Sequence, residues 1–405
     1  MAGPPACGIG FNLNRSGAGP ALSEPPPSNP AEVAAGTIPV SRPLLPTFDK
    51  LEPYLREIDK ARYYTNYGQM HDRLHLRLAE HFGAAPSQAA LASSGTSALI
   101  GLILAVAGRA GPDRPLCLCP SYTFVATAVA ATACGYLPFL IDIDDTSWMI
   151  DPARLQHHPQ LAKTAVVIVV APYGRMPDAA AWQIFQQRTG VPVIIDAAAC
   201  FDTIDTATLL RSRLPAAISL HATKTFSTAE GGLILCGDDS LTERTATALN
   251  FGFHNSREST GPSINGKISE YHAAIGLAEM DAWQVKRQGF IAVANVYQRH
   301  AAGRGLGQRI FTDTTRANPY ALFLARNHAE AAAVQTALDR EQIGFRFWYG
   351  KGLHHQPEYR HCPSDPQVIT GHLAPCLIGL PFAADMAPAA IARIVTAIAS
   401  ASLEA

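Results

Sequence analysis

Residues 165–196 read AVVIVVAPYGRMPDAAAWQIFQQRTGVPVIID. An unbroken apolar run over Ala165–Val170 gives way to a turn, then to a helical stretch over Ala179–Arg188, then to a second apolar run over Val191–Ile195. A strand with one wet face alternates apolar and polar residues, whereas a strand covered on both faces reads as continuous apolar sequence. Two such runs joined by a helix-length segment describe a parallel strand–helix–strand unit.

The same pattern continues on both sides. Leu116–Cys119 and Leu137–Ile143 precede the unit, and Ala217–Leu220 and Leu233–Cys236 follow it, with helices predicted over Ser97–Ala107 and Thr123–Ala133. Residues 90–240 are therefore expected to form an α/β domain, a doubly wound and mainly parallel sheet covered by helices. Upstream, three- and four-residue apolar spacing predicts helices over Thr47–Lys60 and Met70–Phe82. Downstream, a long helical region over 265–300 leads to a compact α+β unit, with a strand over Tyr320–Leu324 and helices over Ala329–Glu341 and Pro388–Ser402. The expected organisation is a disordered tail over 1–38, a large domain over 39–285 and a smaller C-terminal α+β domain over 286–405.

The tail is rich in Pro, Ala, Gly and Ser and lacks the apolar stretch of a secretory signal. No apolar run reaches the roughly 18 residues needed to cross a bilayer, so no membrane partner is expected. A formal net charge of −1 over 405 residues gives no electrostatic reason to expect nucleic acid. The eight cysteines contain no CxxC pair, and neither a disulfide framework nor a metal site is expected. Cys117 and Cys119, two apart in a strand, are expected to share one face of the core. The expected compartment is the cytoplasm.

In an open parallel sheet, ligands bind beyond the carboxyl ends of the strands. Ser94-Gly95-Thr96-Ser97 opens a helix there, and reads either as a phosphate cradle or as a simple N-cap. Tyr122-Thr123-Phe124 follows a strand, and Phe124 reads as a stacking ring or as core. Asp196 ends the strand Val193-Ile194-Ile195, where a carboxylate needs a positive partner such as a protonated pyridine nitrogen, a cap or a salt bridge. Ser219-Leu220-His221-Ala222-Thr223-Lys224 follows another strand; Lys224 is a Schiff-base former or a surface lysine, and Ser219 a phosphate contact. Asn265-Gly266 reads by itself only as a turn.

Order and spacing join these pieces. SGTSAL at 94–99, PSYTFVAT at 120–127, the strand-terminal Asp196, SLHATKTFSTAEGG at 219–232 and INGKISEYHAAIGLAEMD at 264–281 resemble, in sequence, the DegT/DnrJ/EryC1/StrS aminotransferases. That resemblance covers residues 39–400 and implies a fold-type-I transferase dependent on pyridoxal 5′-phosphate (PLP). It implies that Lys224 forms the internal aldimine and shuttles protons, and that Asp196 pairs with the pyridinium nitrogen. It further implies that Phe124 stacks on the ring, that Gly95, Thr96 and Ser219 hold the phosphate, and that Asn265 reaches the cofactor of a neighbouring subunit in a homodimer. The implied reaction moves an amino group from an amino acid, glutamate, to a keto group of a nucleotide-linked deoxy sugar of the dTDP-4-keto-6-deoxyglucose type. Alternatives are amination of a free cyclic ketone or cyclitol, and a PLP-binding regulator without turnover.

Lys224 separates the chain from the family's dehydratase branch, which carries histidine at that position; His221 is expected to pack nearby. Two departures stand out. Ala199 occupies a position where many members place Gln or His beside the cofactor's phenolic oxygen, and Ala171-Pro172-Tyr173-Gly174 lacks the family's usual His or Asn. The run Gly344–His355, with Arg346, Lys351 and four aromatics, reads as the substrate mouth, with a cation meeting a diphosphate, or as a half-buried aromatic cluster.

Overall fold

The computed structural model describes residues 36–404; the tail expected over 1–38 lies, up to residue 35, outside the described residues. The strands are β1 (Ala89–Ala92), β2 (Leu116–Pro120), β3 (Leu137–Ile141), β4 (Thr164–Val170), β5 (Val193–Asp196), β6 (Ala216–Ser219), β7 (Gly232–Leu235), β8 (Ile310–Phe311), β9 (Ala321–Leu324) and β10 (Leu377–Leu380). The helices are α1 (Phe48–Ala61), α2 (Gln69–His81), α3 (Gly95–Ala107), α4 (Ala126–Ala133), α5 (Pro152–Leu155), α6 (Ala179–Thr189), α7 (Thr206–Ser212), α8 (Asp239–Leu249), α9 (Glu270–Ala302), α10 (His328–Arg340), α11 (Val368–Leu373) and α12 (Pro388–Glu404).

A seven-stranded sheet runs β1-β7-β6-β5-β4-β2-β3. Its neighbours from β6 to β3 pair parallel, while β7 runs antiparallel to both β6 and β1. The mainly parallel α/β reading is therefore correct. Strands β4 and β5 are buried along almost their whole length, which is why their sequences show no alternation. A second sheet, β10-β9-β8, is antiparallel. Strand β1 reads AALA, without the branched or aromatic residues that mark strands, and it was not legible as one. Helix α4 starts at Ala126, later than the predicted Thr123, because Tyr122–Phe124 form the turn that leaves β2.

Helix α3 carries apolar residues nearly all round, since it lies between the sheet and α8. Ser94 caps it reciprocally with Ser97: each backbone N–H donates to the other's hydroxyl, at 3.0 and 2.8 Å. At the start of α2, the buried Glu270 carboxylate accepts the backbone N–H groups of Gly68, Met70 and His71. Negative charge at a helix N-terminus stabilises it, and here the acid comes from the first turn of α9. None of the described helices is long and apolar enough to cross a membrane.

Candidate active site

Three consecutive parallel strands end at one cleft of about 400 Å³, which also takes in the start of α3 and the segment 346–349. Gly95, Thr96, Phe124, Asp196, Ser219 and Lys224 all line it, and Asn265 does not. Asn265 is exposed, bridges to Asn250 and accepts a hydrogen bond from Lys267 Nζ at 2.8 Å.

Asp196 closes β5 and is only 5% exposed. Thr127 donates to its Oδ2 at 2.7 Å, and the Ala198 N–H to its Oδ1 at 3.2 Å. Burial raises its pKa above the ordinary carboxylate value, against the lowering effect of those two donors and of the Lys224 charge. Among the described residues this carboxylate makes no ion pair within 4 Å, and a cationic ring nitrogen in the cleft would relieve the cost of burying it.

Lys224 sits in the connection between β6 and β7. Leu220 N–H donates to Gly231, Ala222 N–H to Ala229 at 2.8 Å, and Thr228 N–H to Leu220, so the loop folds back on itself and projects the lysine from its tip. The glycines of AEGG are steric requirements. A Cβ on Gly231 would lie 2.1 Å from Thr228 Oγ1, and one on Gly232 would lie 2.3 Å from the Ser94 carbonyl oxygen. Ala229 takes a left-handed backbone, φ 66°. His221 contacts Glu230 at 3.5 Å and Thr223 at 2.9 Å at the rim of the cleft.

On the opposite rim, a Cβ on Gly95 would come within 2.9 Å of the Ser219 Cβ. Glycine alone keeps that gap open where the first turn of α3 offers its unpaired N–H groups. A helix N-terminus faced by hydroxyls suits an anion. Phe124 is 58% exposed and lines the cleft, so its ring is offered to a ligand; it is not core.

Sequence reading missed most of the aromatic wall. Tyr122, Tyr173 and Tyr349 pack together: the Tyr122 and Tyr173 hydroxyls bond at 2.9 Å, and Tyr173 stacks on Tyr349 with centroids 4.5 Å apart. Tyr173, inside the unusual APYG run, adopts φ 54° and ψ 30°, a strained choice for an aromatic residue. Its carbonyl accepts from Asn318 Nδ2 at 2.8 Å and its N–H donates to the Tyr349 hydroxyl at 3.3 Å. Lys224 Nζ donates to the Tyr320 hydroxyl at 3.3 Å. Nothing in the periodicity of Tyr320–Leu324 announced that contact.

Within the run 344–355, successive side chains of the first part point to different sides. Phe345 and Phe347 pack on the main core, while Arg346 and Trp348 face the cleft. Arg346 lies over the Trp348 ring at 5.3 Å and pairs with Gly379 through backbone hydrogen bonds. A Cβ at Gly379 would fall 2.1 Å from Trp348 Nε1, so the glycine seats the indole. Lys351 is exposed and outside the lining.

An amine, a buried acid and an anion rim around one cleft fit a planar aldehyde with a cationic ring nitrogen and an anionic tail. PLP has those three parts, and the set of residues present fits it. A model of the DegT/DnrJ/EryC1/StrS aminotransferase family matches residues 49–399. Protein Rv3402c of Mycobacterium tuberculosis is 30% identical over 377 residues, covering 90% of each chain. The dTDP-4-amino-4,6-dideoxy-D-glucose transaminase of Shigella dysenteriae is 33% identical over 243 residues, 60% of this chain and 64% of that one. Among solved structures, a PLP-dependent aminotransferase from Bacillus cereus, described there as putative, superposes with a TM-score of 0.81 at 26% identity, covering 89% of this chain and 99% of that one. DesI, crystallised with its TDP-sugar product, gives 0.78 at 24% identity over 91% and 94%.

Proposed function

The chain belongs to the DegT/DnrJ/EryC1/StrS aminotransferase family, and as a PLP-dependent transaminase of that family we propose that it transfers an amino group from glutamate to the keto carbon of a nucleotide-linked deoxy sugar. The observation that carries this reading is the meeting of Lys224, Asp196 and the Gly95–Ser219 gap at a single cleft. Bound PLP supplies an aldehyde for amines and a ring that draws electrons from the reacting carbon.

The protein's own residues divide the work. The first turn of α3, with Gly95 and Thr96, and Ser219 from β6 hold the phosphate. Asp196, stiffened by Thr127, keeps a ring nitrogen protonated. Phe124, exposed in the cleft, would offer its ring to one face of the cofactor. Lys224 would be the amine that holds the aldehyde, and its Nζ, once free, the base placed to take up and return a proton. With one carrier serving donor and acceptor in turn, ping-pong kinetics would be expected.

Two observations support a sugar nucleotide as acceptor. Relatives with the name of dTDP-sugar transaminases share this sequence over more than half its length. Arg346, at the rim beside Trp348, has no acidic partner among the described residues and is suited to a diphosphate. Asn265, exposed and away from the cleft of its own chain, suits a homodimer in which each subunit completes its partner's phosphate site.

The test is a half-reaction screen. Protein loaded with pyridoxamine phosphate is offered keto sugars with and without a nucleotide, and aminated product is counted. Amination confined to nucleotide-linked ketones is expected. Equal or better turnover of free cyclic ketones would move the substrate class, and turnover of neither would remove the reading.

A further inference from the structure

We propose, on the PLP-dependent reading above, that Tyr320 is a positioning residue whose hydroxyl fills the place beside the cofactor's phenolic oxygen that Ala199 leaves without a hydrogen-bonding side chain. Ala198 and Ala199 line the same cleft as Tyr320, and a methyl group can donate nothing.

Hydrogen-bond direction supplies the first argument. An ammonium has donors only, so in the 3.3 Å contact with Lys224 Nζ the Tyr320 oxygen is the acceptor. Its own O–H hydrogen is thereby left over, and it meets no acceptor among the described residues. The phenolic oxygen of PLP is next to the aldehyde on the ring, so a hydroxyl touching the amine that meets the aldehyde is also within reach of that oxygen.

Rigidity supplies the second. Tyr320 is held edge-on by Tyr173 at 5.2 Å and by Trp348 at 5.4 Å. Its N–H donates to Asn318 Oδ1 at 3.1 Å, and the same Asn318 amide holds the Tyr173 carbonyl. Of the other phenols of the wall, Tyr122 and Tyr173 bond each other and Tyr349 accepts from Tyr173 N–H, whereas the Tyr320 hydroxyl is the one that touches Lys224 Nζ. Tyr320 thus combines a fixed ring, contact with Lys224 and an unused donor, as a group stabilising a phenolate must.

The experiment compares PLP-loaded wild type with Tyr320→Phe, which keeps the ring and removes one oxygen. The visible absorption of each is titrated with pH, and kcat and KM are measured for the amino donor. Loss of a donor to the phenolic oxygen makes protons bind more tightly at the cofactor. The spectral midpoint is therefore expected to rise by about one pH unit, with kcat falling by roughly tenfold and the donor's KM little changed. A variant with an intact visible band whose midpoint and kcat match wild type overturns the role of Tyr320 alone. A wild-type protein that gains no visible band with PLP overturns the cofactor reading as well, so the two failures are distinct.

Discussion

Thr127, on the first turn of α4, donates its hydroxyl hydrogen to Oδ2 of Asp196 at 2.7 Å, and in turn bonds Thr123 at 2.9 Å. This short chain holds a buried acid still, but two neutral donors do not repay the cost of burying its charge, and its pKa remains raised. In the cofactor-free protein, a carboxyl with a raised folded pKa binds more protons folded than unfolded. Its penalty is therefore fully present above the folded pKa and fades as pH falls through it. Asp196→Asn is expected to raise the melting temperature of the cofactor-free protein near pH 7 by a few degrees while lowering turnover at least about 100-fold. Calorimetry and steady-state rates check the pair; a variant no more stable than wild type would contradict the assigned strain.

Lys224→Ala is expected to abolish both half-reactions and the visible absorption of PLP-loaded protein, with folding unaffected because the side chain is half-buried at a loop tip. Retention of either signal would place the reacting amine elsewhere.

Arg346→Ala removes a cation from the rim without touching Lys224 or Asp196. The KM for a nucleotide-linked acceptor should rise about 10- to 100-fold, while the half-reaction with the amino donor changes far less. An equal loss in both would assign Arg346 to the donor's carboxylate.

Glu330 tests stability away from the site. It is fully buried at the start of α10; burial pushes its carboxyl up, but Arg309, the backbone N–H of Arg326 and the Arg326 side chain together outweigh that and hold it down at about 2, against an ordinary 4.5. A depressed acid stabilises the fold above its unfolded pKa and loses that contribution as pH falls toward its folded value. Glu330→Gln should cost on the order of 2–3 kcal/mol at pH 7, with the difference from wild type shrinking between pH 4.5 and about 2. Urea titrations at several pH values measure it.

The parts legible in the sequence were those whose physics is local. Fully apolar strands such as Ala165–Val170, and small or hydroxyl residues after a strand, as at Gly95 and Ser219, carry their meaning in a few neighbouring residues. Lys224 and Asp196 stood out because a charged group following an apolar strand needs a reason. The aromatic wall was not legible for the opposite reason. Tyr173 and Tyr320 meet across 147 positions, and their role depends on Asn318 and a left-handed backbone that no spacing rule announces. Thr127, two positions past Val125 on an alanine-rich helix, looks like any helical threonine until Asp196 is brought beneath it.

The contact of Gly232 with the Ser94 carbonyl ties the strand that follows the lysine loop to the residue that caps α3. Separation between the lysine loop and the first turn of α3 is thereby gauged by main chain against main chain, like two jaws bolted to a common bar. The cleft residues at 346–349 belong to a different part of the architecture, bridged to β10 of the small sheet. Trp348 and Tyr349 nevertheless reach back to the lysine through Tyr320 and Tyr173, so a change at 346–349 would be felt at the amine, while the Gly232–Ser94 spacing would stay as it is.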